Sequence, residues 1–176
     1  MDLRYPIGRF NRPVDVDAAD RAQFIEAVAA APAALREAVR GLDDAQLDTP
    51  YRPDGWTVRQ VVHHLPDSHL NAYVRFKLAL TEIEPTIRPY DEKQWAELPD
   101  SRSPLVAESL SLLDTLHARW VYMLRAMSAA DFARTLVHPE HAGAPMRLDT
   151  MLALYAWHGR HHVAHVTALR DRMGWG

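Results

Sequence analysis

The sequence contains no cysteine, so it can form neither a disulfide nor a thiolate metal site, and no protein thiol can act as a nucleophile. It also lacks a strong excess of charge of either sign: the formal net charge is -3, and the basic residues are scattered. Without a basic field to hold a phosphate backbone, we expect no nucleic-acid partner. No apolar run approaches the length of a membrane-spanning helix, so we expect no membrane partner either.

The N-terminal segment lacks the apolar core of a secretory signal peptide, because residues 1–20 are polar and include Pro6 and Pro13. Together with the absence of cysteine, this predicts a cytoplasmic protein. A chain of 176 residues fits a single domain, in which we expect residues 1–14 to form an extended N-terminal arm.

Helical patterns separated by proline-rich connectors fill most of the remaining sequence. Good helix formers occupy residues 18–40, where Pro32 predicts a kink or a split. Thr57 and Gln60 have the spacing of a capping box, which predicts that a second helix begins there and runs to about Thr81.

Two more long helices are predicted in the second half of the chain. Ser103 as N-cap and Pro104 at the first helical position predict the start of the third, and Asp149 is expected to cap the last, which runs to about Met173. The connector between the second and third helices, residues 82–103, is long enough to indicate a crossover between distant helices or a lid.

The fold class that follows is all-α. Four long helices with two longer connections predict a four-helix bundle with a long crossover connection, and a globin-like packing is the alternative. Residues 135–148 are expected to form either a small β-hairpin or a plain loop.

Seven of the ten histidines lie in two of the predicted helices. His158 and His162 are four residues apart, so their rings emerge side by side with Cβ atoms about 5–6 Å apart. This spacing lets two imidazoles bind one metal ion at about 2.0–2.1 Å each. His161 and His165 form a second pair of the same spacing, which could supply a base or support the ligands. The alternative is that these are hydrogen-bonded core histidines without a metal.

A third ligand would have to come from the second helix. His63, His64 and His69 are the histidines available there. His64 shares a face with the apolar Val61 and Leu65. His63 is rotated about 100° from His64, so we expect it to face solvent or a neighbouring helix.

Other polar residues near these histidines are candidates for catalysis or substrate binding. Asp67 and Asn71 extend the His64 stripe along the same helix, and Asp67 or His165 could act as a general base. Asn71 could face the substrate. Three arginines could hold an acidic group of a substrate: Arg59, Arg75 and Arg160.

Two stretches of the chain resemble the signatures of the DinB/YfiT-like superfamily. Residues 55–65 read GWTVRQVVHHL and are followed by Asp67, Ser68, His69 and Asn71, whereas residues 155–165 read YAWHGRHHVAH. The resemblance covers most of the chain. It is strongest to the YfiT branch, whose members are described as metal-dependent hydrolases and bacillithiol S-transferases.

The resemblance implies a four-helix bundle in which His64, His158 and His162 bind one divalent ion, zinc or nickel. It also implies a possible homodimer, because relatives form them. One position departs from the family pattern: Pro66 stands where a small helix former such as alanine is usual. A proline there frees the carbonyl of Val62, so we expect it to tilt His64.

Three functions are compatible with such a site, because three imidazoles leave a coordination position open, as in catalytic metal sites. The first is S-transfer, in which a low-molecular-weight, bacillithiol-like thiol is conjugated to an electrophile; without cysteine, the sulfur must arrive with the substrate. The second is metal-dependent hydrolysis of an amide or ester, although the His-Glu-x-x-His pattern of zinc proteases is absent. The third is a non-catalytic metal-binding bundle.

Overall fold

A computed structural model of the protein describes residues 2–141 and 144–175. In chain order its helices and strands are α1 (Ala18–Val39), α2 (Asp44–Leu47), α3 (Val58–Thr81), α4 (Glu92–Trp95), α5 (Val106–Ala126), α6 (Ala129–Phe132), β1 (Thr135–Val137), β2 (Pro145–Arg147) and α7 (Leu148–Met173). Single turns of 3₁₀ helix span Asp100–Arg102 and Pro139–His141. None of the helices in the described ranges is long and apolar enough to cross a membrane.

The four long helices form the predicted four-helix bundle, and the crossover connections lie elsewhere than expected. Helix α1 packs against α5 and α7, and α3 packs against the same two helices, so α1 lies diagonally opposite α3 and α5 opposite α7. The connections that cross the bundle are therefore residues 40–57 and 127–147. The prediction of a crossover at residues 82–103 is wrong, because that segment joins the neighbouring helices α3 and α5.

The connection between α5 and α7 contains the small β-hairpin, which decides between the two alternatives left open for residues 135–148. Strands β1 and β2 are antiparallel, with Leu136 opposite Met146. Leu136 is buried against the apolar core, which anchors the hairpin at one end of the bundle.

Two apolar clusters are stacked along the bundle axis. One is built around Trp120, Phe76 and Leu152, and the other around Leu35 and Leu65; all five side chains are fully buried. Burial of each such side chain stabilises the fold by about 1.5–3 kcal/mol. His69 of α3, His117 of α5 and the histidines of α7 come between the two clusters in the order of each helix, so a polar layer divides the apolar core.

The start of α3 agrees with the prediction. The Thr57 hydroxyl accepts a hydrogen bond from the Gln60 amide at 3.1 Å, and the Gln60 side chain accepts one from the Thr57 amide at 3.0 Å. This reciprocal capping satisfies two backbone donors that the first turn would otherwise leave free. The end of the helix at Thr81 also agrees with the prediction.

The two other predicted caps are wrong. Helix α5 begins only at Val106, because Ser103 ends the 3₁₀ turn before it and its hydroxyl accepts from the Leu105 amide instead. Helix α7 begins at Leu148, which places Asp149 inside the first turn rather than at the cap. Its carboxylate forms an ion pair with Arg147 at 2.6 Å, the contact that the cap prediction did not take into account.

Neither internal proline ends its helix. Pro32 lies within the continuous α1 and Pro66 within the continuous α3, so the split expected at Pro32 is wrong. Both prolines are buried, so their tertiary packing can offset the loss of the hydrogen bond that each removes from its helix.

Candidate metal centre

Helices α3 and α7 bring three histidines to one point inside the bundle. One ring nitrogen from each of His64, His158 and His162 lies within 4.8 Å of the other two. The Nε2 atoms of His64 and His158 are 3.4 Å apart. The His162 ring centroid lies 4.8 Å from that of His64 and 4.5 Å from that of His158. The three imidazoles therefore form a compact donor group from two facing helices.

This donor group fits a single divalent ion. Two nitrogens bound at about 2.0–2.1 Å to one tetrahedral ion are themselves about 3.4 Å apart, which is the separation between the His64 and His158 Nε2 atoms. The expected tilt from Pro66 does not carry His64 away from the other two rings. His162 Nδ1 is buried without a hydrogen-bond partner among the described residues. A buried polar atom without a hydrogen-bond partner destabilises the fold, and a bound ion or water would supply the missing partner.

Burial keeps the three imidazoles neutral, which is the form that binds metals. It lowers the pKa of His64 to about 4. The pKa values of His158 and His162 are lowered well below the ordinary value of 6.5, mainly by burial and further by the neighbouring imidazoles. Protons therefore do not compete with an ion for these nitrogens at neutral pH.

Aromatic side chains enclose the donor group on the side where α3 begins. The Trp56 ring centroid lies 4.7 Å from that of His64 and 6.2 Å from that of His162. Trp56 directly precedes the capping box, so the residues that begin the helix also position this wall. On α7, Trp157 stacks on His161 at 4.2 Å.

A cavity of about 370 Å³ opens in front of the three histidines. Residues 82–105 form part of its wall through Pro89, Tyr90 and Glu92, so this connector shapes access to the site. The β-hairpin connection contributes His138 and Glu140. A small molecule could therefore reach the donor group from a cavity bounded by the connector between α3 and α5 and by the β-hairpin connection.

The cavity has a polar end around Arg75, the one lysine or arginine among its described lining residues. Burial raises the pKa of Tyr155, and the neighbouring Arg75 and Ser68 side chains lower it by a smaller amount. Burial also raises the pKa of Tyr90 to about 12, while Ser68 lowers it. Both tyrosines therefore stay protonated and can donate hydrogen bonds into this end of the cavity.

A second histidine group lies behind His158, and sequence analysis identified only part of it. His69 Nε2 lies 3.1 Å from His158 Nδ1, and His69 Nδ1 lies 2.7 Å from His117 Nε2. His117 was not predicted as a site residue. Its helical spacing from Leu113 and Trp120 placed it on the core stripe of α5, and a histidine on that stripe was the signal that could have identified it.

His165 and His161 lie near the donor group without joining it. The His165 ring stacks on Tyr51 at 3.9 Å, and its Nε2 lies 3.2 Å from the backbone carbonyl of Arg4. His161 packs between Trp157 and Tyr5. The N-terminal arm thus covers this side of α7, and His165 does not line the cavity in front of the three histidines.

Asp67 and Asn71 are not brought to the three histidines. Asp67 lines a separate cavity of about 170 Å³ together with His63 and Asp100, and burial raises its pKa to about 6. The Asn71 side chain donates to the Asp67 carbonyl. Asp67 lies about 60° around the helix from His64, and Asn71 lies about 20° around it but about 10 Å further along the helix axis, so neither side chain reaches the donor group.

The remaining predicted residues have structural surroundings. Arg59 is buried and forms ion pairs with Asp48 at 2.6 Å and Asp44 at 2.8 Å, so it joins α3 to α2. Arg160 is exposed and donates to the Ala156 carbonyl of its own helix. Neither lines the cavity in front of the histidines.

His63 contacts the neighbouring helix, one of the two surroundings expected for it. Its Nδ1 lies 2.7 Å from the Ser109 hydroxyl and its Nε2 lies 3.1 Å from the Ser103 carbonyl. Both ring nitrogens are thus engaged on the side of α3 that faces α5.

The fold and the site together define a class of protein: a helical bundle in which histidines of two facing helices can hold a metal ion at the base of a cavity. A family model of the DinB superfamily matches residues 27–166. The chain belongs to this superfamily, and within it to the DinB/YfiT-like family.

Relatives match over nearly their whole length. One from Bacillus mycoides strain KBAB4 is 52% identical over 174 residues, and one from Bacillus cereus strain B4264 is 53% identical over 176 residues; each alignment covers 99% of both chains. Both are provisionally named metal-dependent hydrolases. The solved structure of YfiT from Bacillus subtilis superposes with a TM-score of 0.96 at 48% identity and covers 100% of both chains. It is described as "a probable metal-dependent hydrolase with an unusual four-helix bundle topology".

Proposed function

We propose that this protein is a metal-dependent enzyme that conjugates a low-molecular-weight thiol to an electrophilic small molecule. The observation that carries the proposal is the donor group of His64, His158 and His162: one ring nitrogen of each lies within 4.8 Å of the other two, and all three residues line the cavity. Three neutral imidazoles would hold one divalent ion, zinc or nickel, and leave it an open position. Such an ion supplies the charge that turns a bound thiol into a thiolate.

The surroundings of the site favour a thiol over water as the nucleophile. Hydrolysis benefits from a general base near the attacking water, and neither base suggested by the sequence is in place. Asp67 lines another cavity, and His165 is not among the residues that line the cavity in front of the three histidines. A thiol, with an ordinary pKa of about 8.5, loses its proton much more easily than water and needs no such base. The chain has no cysteine, so the sulfur comes with the substrate.

In the proposed reaction the thiol proton leaves to solvent, the sulfur forms a bond to the electrophilic carbon, and the leaving group departs with the electrons of the broken bond. The chain's own residues orient the two substrates. Arg75, which makes no ion pair with an acidic residue within the described ranges, would hold an anionic group of the substrate. The protonated Tyr90 and Tyr155 would donate hydrogen bonds beside it.

Hydrolysis of an amide or ester is the second candidate. The names of the relatives from Bacillus favour it. Glu92, His138 and Glu140 at the mouth of the cavity are the side chains that could then assist water, since they line the same space as the three histidines.

One comparison separates the candidates. Protein loaded with zinc or nickel is incubated with a chromogenic aryl halide, with and without a panel of small thiols, and in parallel with chromogenic esters and amides. We expect conjugation that depends on the thiol, and its loss in His162→Ala together with the ion. The matched control is His63→Ala, which removes a buried histidine outside the donor group. Cleavage of an ester or amide without thiol would replace our proposal with hydrolysis. No reaction with any of the substrates would contradict both thiol conjugation and hydrolysis.

The role of Arg75 has its own test. Arg75→Gln removes the one arginine or lysine of the described cavity lining, so KM for an anionic thiol should rise by roughly tenfold or more, as for loss of a hydrogen bond to a charged group. Lys77→Gln on the exposed face of the same helix is the control and should leave KM unchanged. An equal KM in Arg75→Gln and the unsubstituted enzyme would contradict the assignment.

A further inference from the structure

A continuous line of hydrogen bonds joins a backbone carbonyl on α1 to the candidate ligand His158 on α7. The Val28 carbonyl lies 2.7 Å from His117 Nδ1, and His117 Nε2 lies 2.7 Å from His69 Nδ1. His69 Nε2 lies 3.1 Å from His158 Nδ1. Four elements of the chain are thus linked through three imidazoles, since α1, α5, α3 and α7 each contribute one member.

The carbonyl determines the direction of every bond in this line. A carbonyl oxygen can only accept, so His117 must carry its proton on Nδ1. A neutral imidazole has one donor and one acceptor, so His117 Nε2 then accepts from Nδ1 of His69. By the same rule His69 Nε2 accepts from Nδ1 of His158. The Nε2 of His158 is left as a lone pair, and it is this atom that lies 3.4 Å from Nε2 of His64.

Burial of His69 and His117 excludes the two alternatives, which are a water molecule as hydrogen-bond partner and a doubly protonated imidazole. His69 is fully buried and His117 is 2% exposed, so water does not compete for their nitrogens, and burial disfavours the charged form that could donate from both. Trp120 and Tyr155 pack edge-on against the His69 ring. Gly159 lies beside the same ring, since a Cβ at that position would lie 3.6 Å from His69 Cε1, an ordinary van der Waals distance.

We propose that the Val28 carbonyl, acting through His117 and His69, sets the tautomer of His158 so that its Nε2 is held ready as a metal ligand. His69 and His117 are positioning residues in this proposal, which rests on the proposed role of His158 as a ligand. Neutral histidine in water prefers to carry its proton on Nε2, the atom the ion needs. The line of hydrogen bonds reverses that preference before any ion arrives, so the site is preorganised.

The tautomers can be read directly in the metal-free protein. Histidine ring nitrogens that carry a proton differ in ¹⁵N chemical shift from those with a lone pair, so a two-bond ¹H–¹⁵N correlation spectrum assigns each ring. We expect the proton on Nδ1 in His158, His69 and His117. A proton on Nε2 of His158 in the folded, metal-free protein would overturn the proposal, whether or not the protein binds metal.

Substitutions test whether the line matters for the ion. His69→Phe removes the acceptor for His158 Nδ1, and the affinity for zinc, measured by chelator competition, should fall by about 10–100-fold, the range typical of such supporting residues. His69→Gln keeps an oxygen that can accept from His158 and should recover most of the affinity. The control is His63→Phe, a buried histidine of the same helix outside the line, which should stay within about twofold of the unsubstituted protein.

The remaining outcomes are also decisive. A folded His69→Phe with unchanged zinc affinity, or a His63→Phe as weak as His69→Phe, would contradict the proposal. If His69→Phe does not fold, His117→Phe provides the second variant: it removes the acceptor for His69 Nδ1, and the His158 spectrum should then show both tautomers. A single unchanged His158 tautomer in that variant would also count against the proposal. Failure of the unsubstituted protein to bind zinc or nickel would instead reject the metal site. Because the tautomers are read in the metal-free protein, the spectra test the line of hydrogen bonds independently of metal binding.

Discussion

Acidification of the metal-free protein is expected to destabilise it strongly, because its buried histidines resist protonation. His161 is a suitable probe: it is 7% exposed, it is not one of the candidate ligands, and burial lowers its pKa to about 4. In the unfolded chain its pKa returns to the ordinary value of 6.5. Between these two values the unfolded state binds a proton that the folded state does not, so stability is lost as the pH falls from about 6.5 towards 4.

The magnitude follows from the two pKa values. At pH 5 the unfolded imidazole is almost fully protonated and the folded one almost fully neutral, which costs about 2 kcal/mol relative to pH 7. His64 and His165 also have pKa values lowered to about 4 and add losses of the same sign. Asp67, whose pKa is raised to about 6, has the opposite sign and offsets about 1 kcal/mol.

The assay compares two proteins at two pH values. Guanidinium unfolding of the metal-free protein and of His161→Phe is followed by circular dichroism at pH 7 and pH 5. The packing change in the variant is common to both pH values and cancels, as does the contribution of Asp67. The drop in unfolding free energy should be about 2 kcal/mol smaller in His161→Phe. Equal drops in the two folded proteins would refute the reasoning, since they would show that His161 is not held neutral by burial.

Three further predictions concern single positions. His64→Ala should remove the bound ion and His63→Ala should not, because His63 has both ring nitrogens engaged elsewhere; elemental analysis that finds the reverse would exchange their roles. Thr57→Ala should lower the unfolding free energy by about 1 kcal/mol through loss of the cap, and Thr57→Ser should restore it. Gly159→Val should destabilise the bundle by about 1–3 kcal/mol, because even its Cβ would lie 3.0 Å from the Cβ of Ala31; an unchanged thermal midpoint would show that α1 can move away.

Sequence reasoning succeeded where the signal lies within one or two turns of a helix. The capping box at Thr57 was readable because the two partners are three residues apart, and the bundle could be predicted because each long helix has an apolar stripe. The pairing of His158 with His162 is a local property of the same kind, since the helical repeat alone puts their rings side by side. The cap prediction at Ser103 failed because this residue ends a 3₁₀ turn and its hydroxyl accepts a hydrogen bond from the Leu105 amide. The cap prediction at Asp149 failed because its carboxylate forms an ion pair with Arg147.

The order of the helices around the bundle was beyond such signals. A connection of a given length can join neighbours or diagonal partners, and the choice depends on which apolar faces pack best against each other. The long segment 82–105 could therefore not be recognised as a link between neighbours that also forms a wall of the cavity.

The sequence by itself determined which long helices form, the start and end of α3, the end of α7, and that two imidazoles of α7 point the same way. Only the tertiary structure decided which groups of other helices meet them: it placed His64 beside them, turned Asp67 into another cavity, and brought His117 behind His69. The physical reason is that the helical repeat sets angles about one axis, whereas the rotation of one helix relative to another is set by the packing of the whole core.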